Sequence, residues 1–160
     1  MKIDPTSIKY RKANSNDIKL LVNYRIEFLK EVHNYNPDKE IELRKKLEEY
    51  VTRCINKNTL HAWIADYGDI TIGMGWMLVR DQPGHFYLLD GKIGLILNIY
   101  TIPTYRRNGI SSQIMQHLID DGKSLKLNRL ELRATLDGEP VYRNFGFSEP
   151  SEKTMELILK

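Results

Sequence analysis

I-G-L-I-L-N-I-Y-T-I-P-T-Y-R-R-N-G-I-S-S-Q-I-M-Q-H-L-I-D-D-G-K, Ile93 to Lys123, is the stretch around which the rest of the chain is arranged. Leu95, Ile96, Leu97, Ile99, Tyr100 and Ile102 form an apolar run of strand length, and Pro103 ends it. A basic turn follows, Tyr105-Arg106-Arg107-Asn108-Gly109. Ile110, Ile114, Met115, Leu118 and Ile119 then fall on one helical face, and Gly122 is the expected end of that helix. The first backbone N–H groups of a helix lack an intrahelical partner, and its aligned dipoles leave positive charge there. Gly109 has no side chain to hold an anion away from those amides. Arg106 and Arg107 add charge, and Ser111 and Ser112 add hydroxyl donors, so the turn is a candidate phosphate cradle.

The remainder of the chain supplies a frame for this unit. Ile8-Lys9-Tyr10-Arg11 reads as a short first strand. Asn14 is placed to cap a helix, with Asp17 at its positive end, and Ile18, Leu21, Val22, Ile26, Leu29 and Val32 recur at helical spacing. Asn34-Tyr35-Asn36-Pro37 breaks that helix, and Asp38 is the expected cap of a second one carrying Leu43, Leu47, Tyr50, Val51 and Cys54. From Leu60 the period becomes two. Leu60, Ala62 and Ile64 alternate, Asp66-Tyr67-Gly68-Asp69 turns, and Ile70, Ile72, Met74, Trp76 and Leu78 alternate again, which predicts a hairpin. Gly73 and Gly75 lie inside a strand and open no helix, so they read as close packing or a bulge rather than a dinucleotide fingerprint.

A loop runs from Asp81 to about Gly91. Leu127, Leu130, Leu132 and Ala134 suggest a strand, Asp137-Gly138-Glu139-Pro140 starts a short helix bearing Tyr142, and Met155, Leu157 and Leu159 alternate as a final strand. The pattern is that of one α/β domain over residues 1–160, a mixed sheet flanked by helices.

Two motifs extend this reading. Arg106-x-x-Gly109-x-Ser111, after N-I-Y-T-I-P-x-Y-R, resembles motif A of the GNAT superfamily of acyl-CoA-dependent N-acetyltransferases, with Ser111 where the family pattern has Gly or Ala. Tyr142-Arg143-Asn144-Phe145-Gly146-Phe147 is similar to the Y-x-x-x-G-F that follows the family's fifth strand. The resemblance implies a mostly antiparallel mixed sheet with acetyl-CoA in the splay between the fourth and fifth strands. It also implies main-chain contacts to the cofactor from Ile99, Tyr100 and Thr101, and pyrophosphate binding by the turn Arg106, Arg107, Asn108, Gly109, Ile110, Ser111 and Ser112. The expected reaction is acetyl transfer to a primary amine of a small molecule or peptide. By the same resemblance the Ile99 N–H is the oxyanion-donor candidate and Tyr142 the general acid. A phenol with a pKa of ~10 stays protonated at neutral pH.

The base is left open. No Asp or Glu occurs between Gly91 and Thr101, and Asn98 is no useful proton acceptor. Asp90, His85, Glu27 and Glu31 are the substitutes, and Tyr24, Glu27, Phe28, Glu31 and Tyr35 form a prospective acidic, aromatic wall for a cationic amine. Missing a strand carboxylate, the chain also fits a non-catalytic acyl-CoA sensor.

Composition sets limits on the alternatives. With 160 residues, 41% of them hydrophobic, the chain can bury a sizeable core. A net charge of +3 with a pI near 8.9 carries no nucleic-acid footprint. Cys54 is the only cysteine, which points to a reducing compartment and argues for a cytoplasmic protein, and no run approaches the ~18 apolar residues of a membrane span. His33, His61 and His117 have no partner at ligand spacing, so no metal is expected. Exchange or edge pairing of the C-terminal strand would give a homodimer.

Overall fold

From Ile18 to Asn56 apolar residues recur with a helical period and from Leu60 to Leu78 they alternate; the computed structural model, which describes residues 1–159, folds along that division. Strand β1 (Ile8–Lys12) is followed by helices α1 (Ile18–Val32) and α2 (Glu40–Asn56). Then come strands β2 (Leu60–Tyr67), β3 (Ile70–Asp81) and β4 (Lys92–Thr101), helix α3 (Ile110–Ser124), strand β5 (Arg129–Leu132) and helix α4 (Glu139–Asn144). The five strands form one sheet in the order β1-β2-β3-β4-β5. Every pair is antiparallel except β4 with β5, which α3 joins as a crossover.

Local chemistry accounts for the helix starts. Asn14 accepts from the Asn16 N–H at 2.8 Å while Asp17 accepts from the Asn14 N–H at 2.9 Å, a capping box over the turn that opens into α1. Asn36, not Asp38, caps the turn ahead of α2: its Oδ1 accepts from the Asp38 N–H at 3.0 Å, because Pro37 takes the first helical position.

Two apolar layers sandwich the sheet. Leu21, Val22, Val51 and Cys54 of α1 and α2 pack on Leu60, Ala62, Ile64, Met74 and Trp76. On the opposite face Ile110, Ile114, Met115 and Leu118 of α3 pack on Ile8, Ala65, Ile72, Met77 and Ile96. Each such fully buried Leu or Ile contributes roughly 1.5–3 kcal/mol of transfer free energy. Gly73 and Gly75 lie in the sheet beneath α3. A Cβ on Gly73 would sit 2.8 Å from Ile110 Cγ2, and one on Gly75 would sit 2.4 Å from Ile99 Cδ1.

Two further expectations are corrected. Gly122 does not end α3, which runs on to Ser124; it is buried in the helix, where an added Cβ would stand 3.0 Å from Leu130 Cδ2. Lys126, at φ +55°, takes the left-handed position instead. Leu127 N–H donates to Gly122 O at 2.9 Å and Lys126 N–H to Lys123 O at 3.0 Å, a complete Schellman closure. The alternation Met155, Leu157, Leu159 makes no strand. The described residues after α4 form no ladder, and Met155 and Leu157 are 91% and 84% exposed. An alternating run becomes a strand only by pairing, and β5, at four residues, pairs only with β4 among the described residues. Among those residues no helix is long and apolar enough to cross a membrane.

Packing and charge each yield a prediction. Gly75→Ala forces a methyl against Ile99 Cδ1 and Ile114 Cγ2, the latter at 2.7 Å, and urea unfolding is expected to register a loss of about 1–3 kcal/mol. Asp17 accepts two bonds from Arg11, both 2.9 Å, and Arg11 Nε also donates to Asp66 at 2.8 Å. Burial pushes the Asp17 carboxyl up, but Arg11 and the Asn14 N–H outweigh it and leave the group below the usual range. A carboxyl depressed in the folded state contributes stability that is present above the unfolded pKa, ~3.9, and lost as pH falls through the folded value. The stability difference between wild type and Asp17→Asn is therefore expected to be full above pH ~5 and to shrink on acidification, as read by urea titrations across pH.

Candidate active site

The pairing of β3 with β4 slips in the middle. Trp76 stands opposite Leu97 but Met74 stands opposite Tyr100, so β4 carries one extra residue. Asn98, at φ +58°, absorbs it. Leu97 packs in the α1–α2 layer and Asn98 bonds to Arg25 of α1, while Ile96 and Ile99 belong to the α3 layer. Two successive side chains thus point to the α1 face.

Beyond the slip, the direction of the β4 amides follows from one bond. Ile102 N–H donates to Ile72 O at 2.9 Å, toward β3. Successive peptide groups alternate along a strand, so Tyr100 also faces β3 while Ile99 and Thr101 face away from it. On that outer side β5 pairs only with Ile93 to Ile96 and then diverges. The result is a cleft between the diverging strands, lined on one wall by the β4 amides of Ile99 and Thr101.

At the end of this cleft lies the turn. Arg107 and Gly109 both have positive φ, +64° and +75°, and Gly109 is the residue before α3. A Cβ on Gly109 would meet nothing within 4 Å, so the backbone conformation and not crowding within the chain requires glycine. Gln113 N–H is the first to close on Gly109 O, at 3.1 Å, which leaves the amides of Ile110, Ser111 and Ser112 without helical partners. Ser111 Oγ lies 3.1 Å from Thr101 Oγ1 and ties the helix start to the strand end, while the Ile110 side chain is buried beneath Gly73.

The side chains of the turn divide their roles. Arg107 is exposed. Arg106 turns back over β4, where its Nε donates to Thr101 O at 2.9 Å and its Nη2 to both Glu31 oxygens at 2.7 and 2.6 Å. Asn108 accepts from Ile3 N–H at 3.2 Å and donates to Met1 O and Tyr105 O, both at 2.9 Å, so it clasps the chain's first residues to the turn. Among the described residues, the donors that this turn leaves without an internal partner are therefore the backbone amides from Gly109 to Ser112 and the Arg107 side chain.

The face toward α1 is not the acidic wall expected from Glu27 and Glu31. Glu27 pairs with Lys30 at 3.1 Å, and Glu31 is held by Arg106 and by Tyr100 Oη at 3.3 Å. Tyr35 bonds to Glu40 near the start of α2, away from β4. Tyr24 donates to Thr71 O and meets the Tyr100 ring edge-on at 5.7 Å. Tyr100 is pushed up by burial and by Glu31. Arg25, which the sequence reading passed over, reaches Asn98 Oδ1 at 3.3 Å with its guanidinium 5.7 Å from the Phe28 ring. A basic residue at the spacing that faces a sheet was the available signal.

Of the candidate bases, Glu31 lies beside Tyr100. Asp90 accepts from Lys92 N–H and Asn128 at the opposite end of β4, and His85 sits in the exposed loop between β3 and β4. Tyr142, on α4, packs against the same apolar layer as Ile99. Its ring meets Phe147 edge-on at 6.3 Å, and a Cβ on Gly138 would touch its hydroxyl at 3.0 Å. Burial pushes its phenol up, which keeps the proton on at neutral pH.

Residues 23–147 match the model of the acetyltransferase (GNAT) family. A structure from Clostridium acetobutylicum, described as a predicted acetyltransferase with acetyl-CoA, is 32% identical over 94% of this chain and 96% of that one, with a TM-score of 0.85. A GCN5-related N-acetyltransferase from Ralstonia eutropha is 20% identical over 94% and 98%, with a TM-score of 0.83. Glucosamine-6-phosphate N-acetyltransferase from Arabidopsis thaliana is 16% identical over 94% and 97%, with a TM-score of 0.65. The last two attest the fold alone. No curated protein matches the chain. By the span of the family match, the chain belongs to the GNAT family of acetyltransferases.

Proposed function

We propose that residues 1–160 are one N-acetyltransferase domain that moves an acetyl group from acetyl-CoA to a primary amine of a small molecule or peptide by direct attack. The observation that carries this is the pair of outward amides past the β4 slip, Ile99 and Thr101, together with the unpaired amides at the start of α3. Its residues fit the cofactor: strand amides at Ile99 and Thr101 suit an amide-bearing arm, and unpaired helix amides beside an open Gly109 suit a diphosphate. Bound acetyl-CoA supplies an acetyl group activated as a thioester. The Ile99 N–H is the donor to the thioester oxygen as negative charge gathers on it. Gly109, Ile110, Ser111 and Ser112 hold the diphosphate through their N–H groups, with Arg107 adding charge from the rim. Tyr142 Oη gives its proton to the departing sulfur, a role its raised pKa supports by keeping that proton in place. Glu31, bound by Tyr100 of this strand and by Arg106, takes the amine proton directly or through water.

One observation favours a non-catalytic acyl-CoA sensor as a second reading: β4 offers no carboxylate, and Glu31 is already engaged by Arg106. Calorimetry with acetyl-CoA, followed by mass detection of products over an amine panel, separates the two. The enzyme consumes the thioester and yields an acetylated amine, whereas a sensor binds it and releases it intact. Tyr142→Phe is expected to keep acetyl-CoA affinity and lower kcat by about 10²–10⁴-fold; unchanged turnover would remove the phenol from the mechanism.

A further inference from the structure

Most arginines in this chain have a carboxylate. Arg11 pairs with Asp17 and Asp66, Arg44 with Glu40, Arg106 with Glu31, and Arg143 with Glu139 and Glu149. Arg53 and Arg107 have no ion pair among the described residues but stand in solvent. Arg25 is different: it is half-buried, and among the described residues no carboxylate reaches it. Among those residues its one side-chain hydrogen bond goes to the neutral Asn98 Oδ1 at 3.3 Å, and burial pushes its pKa down.

A guanidinium withdrawn from water without a counter-charge is unfavourable unless a partner arrives from outside. The surroundings of Arg25 are arranged to hold its position. Phe28 packs against the guanidinium at 5.7 Å, which steadies its plane. Asn98 is held in the left-handed region by the β4 slip, and its Nδ2 donates to Met74 Sδ at 3.2 Å, which leaves Oδ1 turned to Arg25. Neither neighbouring carboxylate pairs with it: Glu27 bonds to Lys30 and Glu31 to Arg106. The bond to Asn98 uses one N–H of a fork built to grip carboxylate or phosphate in a bidentate manner.

We propose that Arg25 recognises the acceptor, and that the acceptor is a small amine that also carries an anionic group, a carboxylate or a phosphate. This rests on the acetyltransferase reading. Asn98 adjoins Ile99, so an anion on Arg25 lies close to the strand segment where the thioester would be held. A short zwitterion then spans from the guanidinium to the acetyl group, with its amine at the reacting end. A polyamine would instead bring cationic charge against an unneutralised guanidinium and would be rejected.

The test measures kcat/KM for matched acceptors with acetyl-CoA: amino acids, the amines left by their decarboxylation, and 2-aminoethyl phosphate against ethanolamine. Anion-bearing acceptors are expected to lead their neutral counterparts, with the carboxylate and phosphate arms identifying the anion. In Arg25→Met that lead collapses by about 30-fold or more, and the loss falls on the acceptor KM. Arg25→Lys keeps part of it. Thermal unfolding provides an independent readout, because removing an unpaired half-buried charge leaves Arg25→Met at least as stable as wild type; a marked loss of stability would assign Arg25 to the frame and overturn the proposal. Neutral amines acetylated as well as their anionic partners also overturn it, while the acetyltransferase reading stands. Acetyl-CoA binding with no amine consumed overturns both.

Discussion

A peptide N–H at the edge of a sheet has to be paired, hydrated or given to a ligand, and past Ile96 the outer edge of β4 loses its neighbour. Much of the surrounding structure follows from that one unmet requirement. Because β4 runs between β3 and β5, it cannot bend away freely; the extra residue at Asn98 lets it change which side chains face α1 while β3 stays paired. Because α3 must start close to the end of β4, Gly73 and Gly75 remove side chains from the sheet beneath it. The amides at the strand edge and those at the helix start then bound one continuous cleft.

The charges around the cleft are distributed unequally. Arg106 spans from Thr101 O to Glu31 and so braces the strand end against α1. With that bridge in place the acidic side of α1 is neutralised, and the charge left without a partner next to the slip is positive. Electrostatic character near the strand is thus set by pairing geometry more than by how many acidic residues α1 contains.

Much of this was legible in the primary structure. The alternation from Leu60 to Leu78, the apolar strand before Pro103 and the glycine ahead of Ile110 fixed the sheet, the hairpin and the turn, because each depends on neighbours in sequence. What stayed illegible depends on partners far along the chain. Gly122 reads as a terminator until Leu130 is seen to occupy its missing side chain. Met155 to Leu159 read as a strand until the sheet proves to offer it no ladder. Glu31 and Arg106 read as independent site groups, although they are 75 positions apart and joined. Arg25 shows its isolation only once the pairing of the other arginines is known.

The seating of Leu130 has a consequence at a distance. Its methyl groups occupy the room left by Gly94 on β4 and Gly122 on α3, where added Cβ atoms would lie 2.6 and 3.0 Å away. The fit is made at the closed end of the parallel pair, where the two strands still run together. It is a pivot in position: van der Waals contact seats β5 against β4 and α3 just before the two strands part. Bulk introduced at that pivot would alter the aperture without altering any group that borders it.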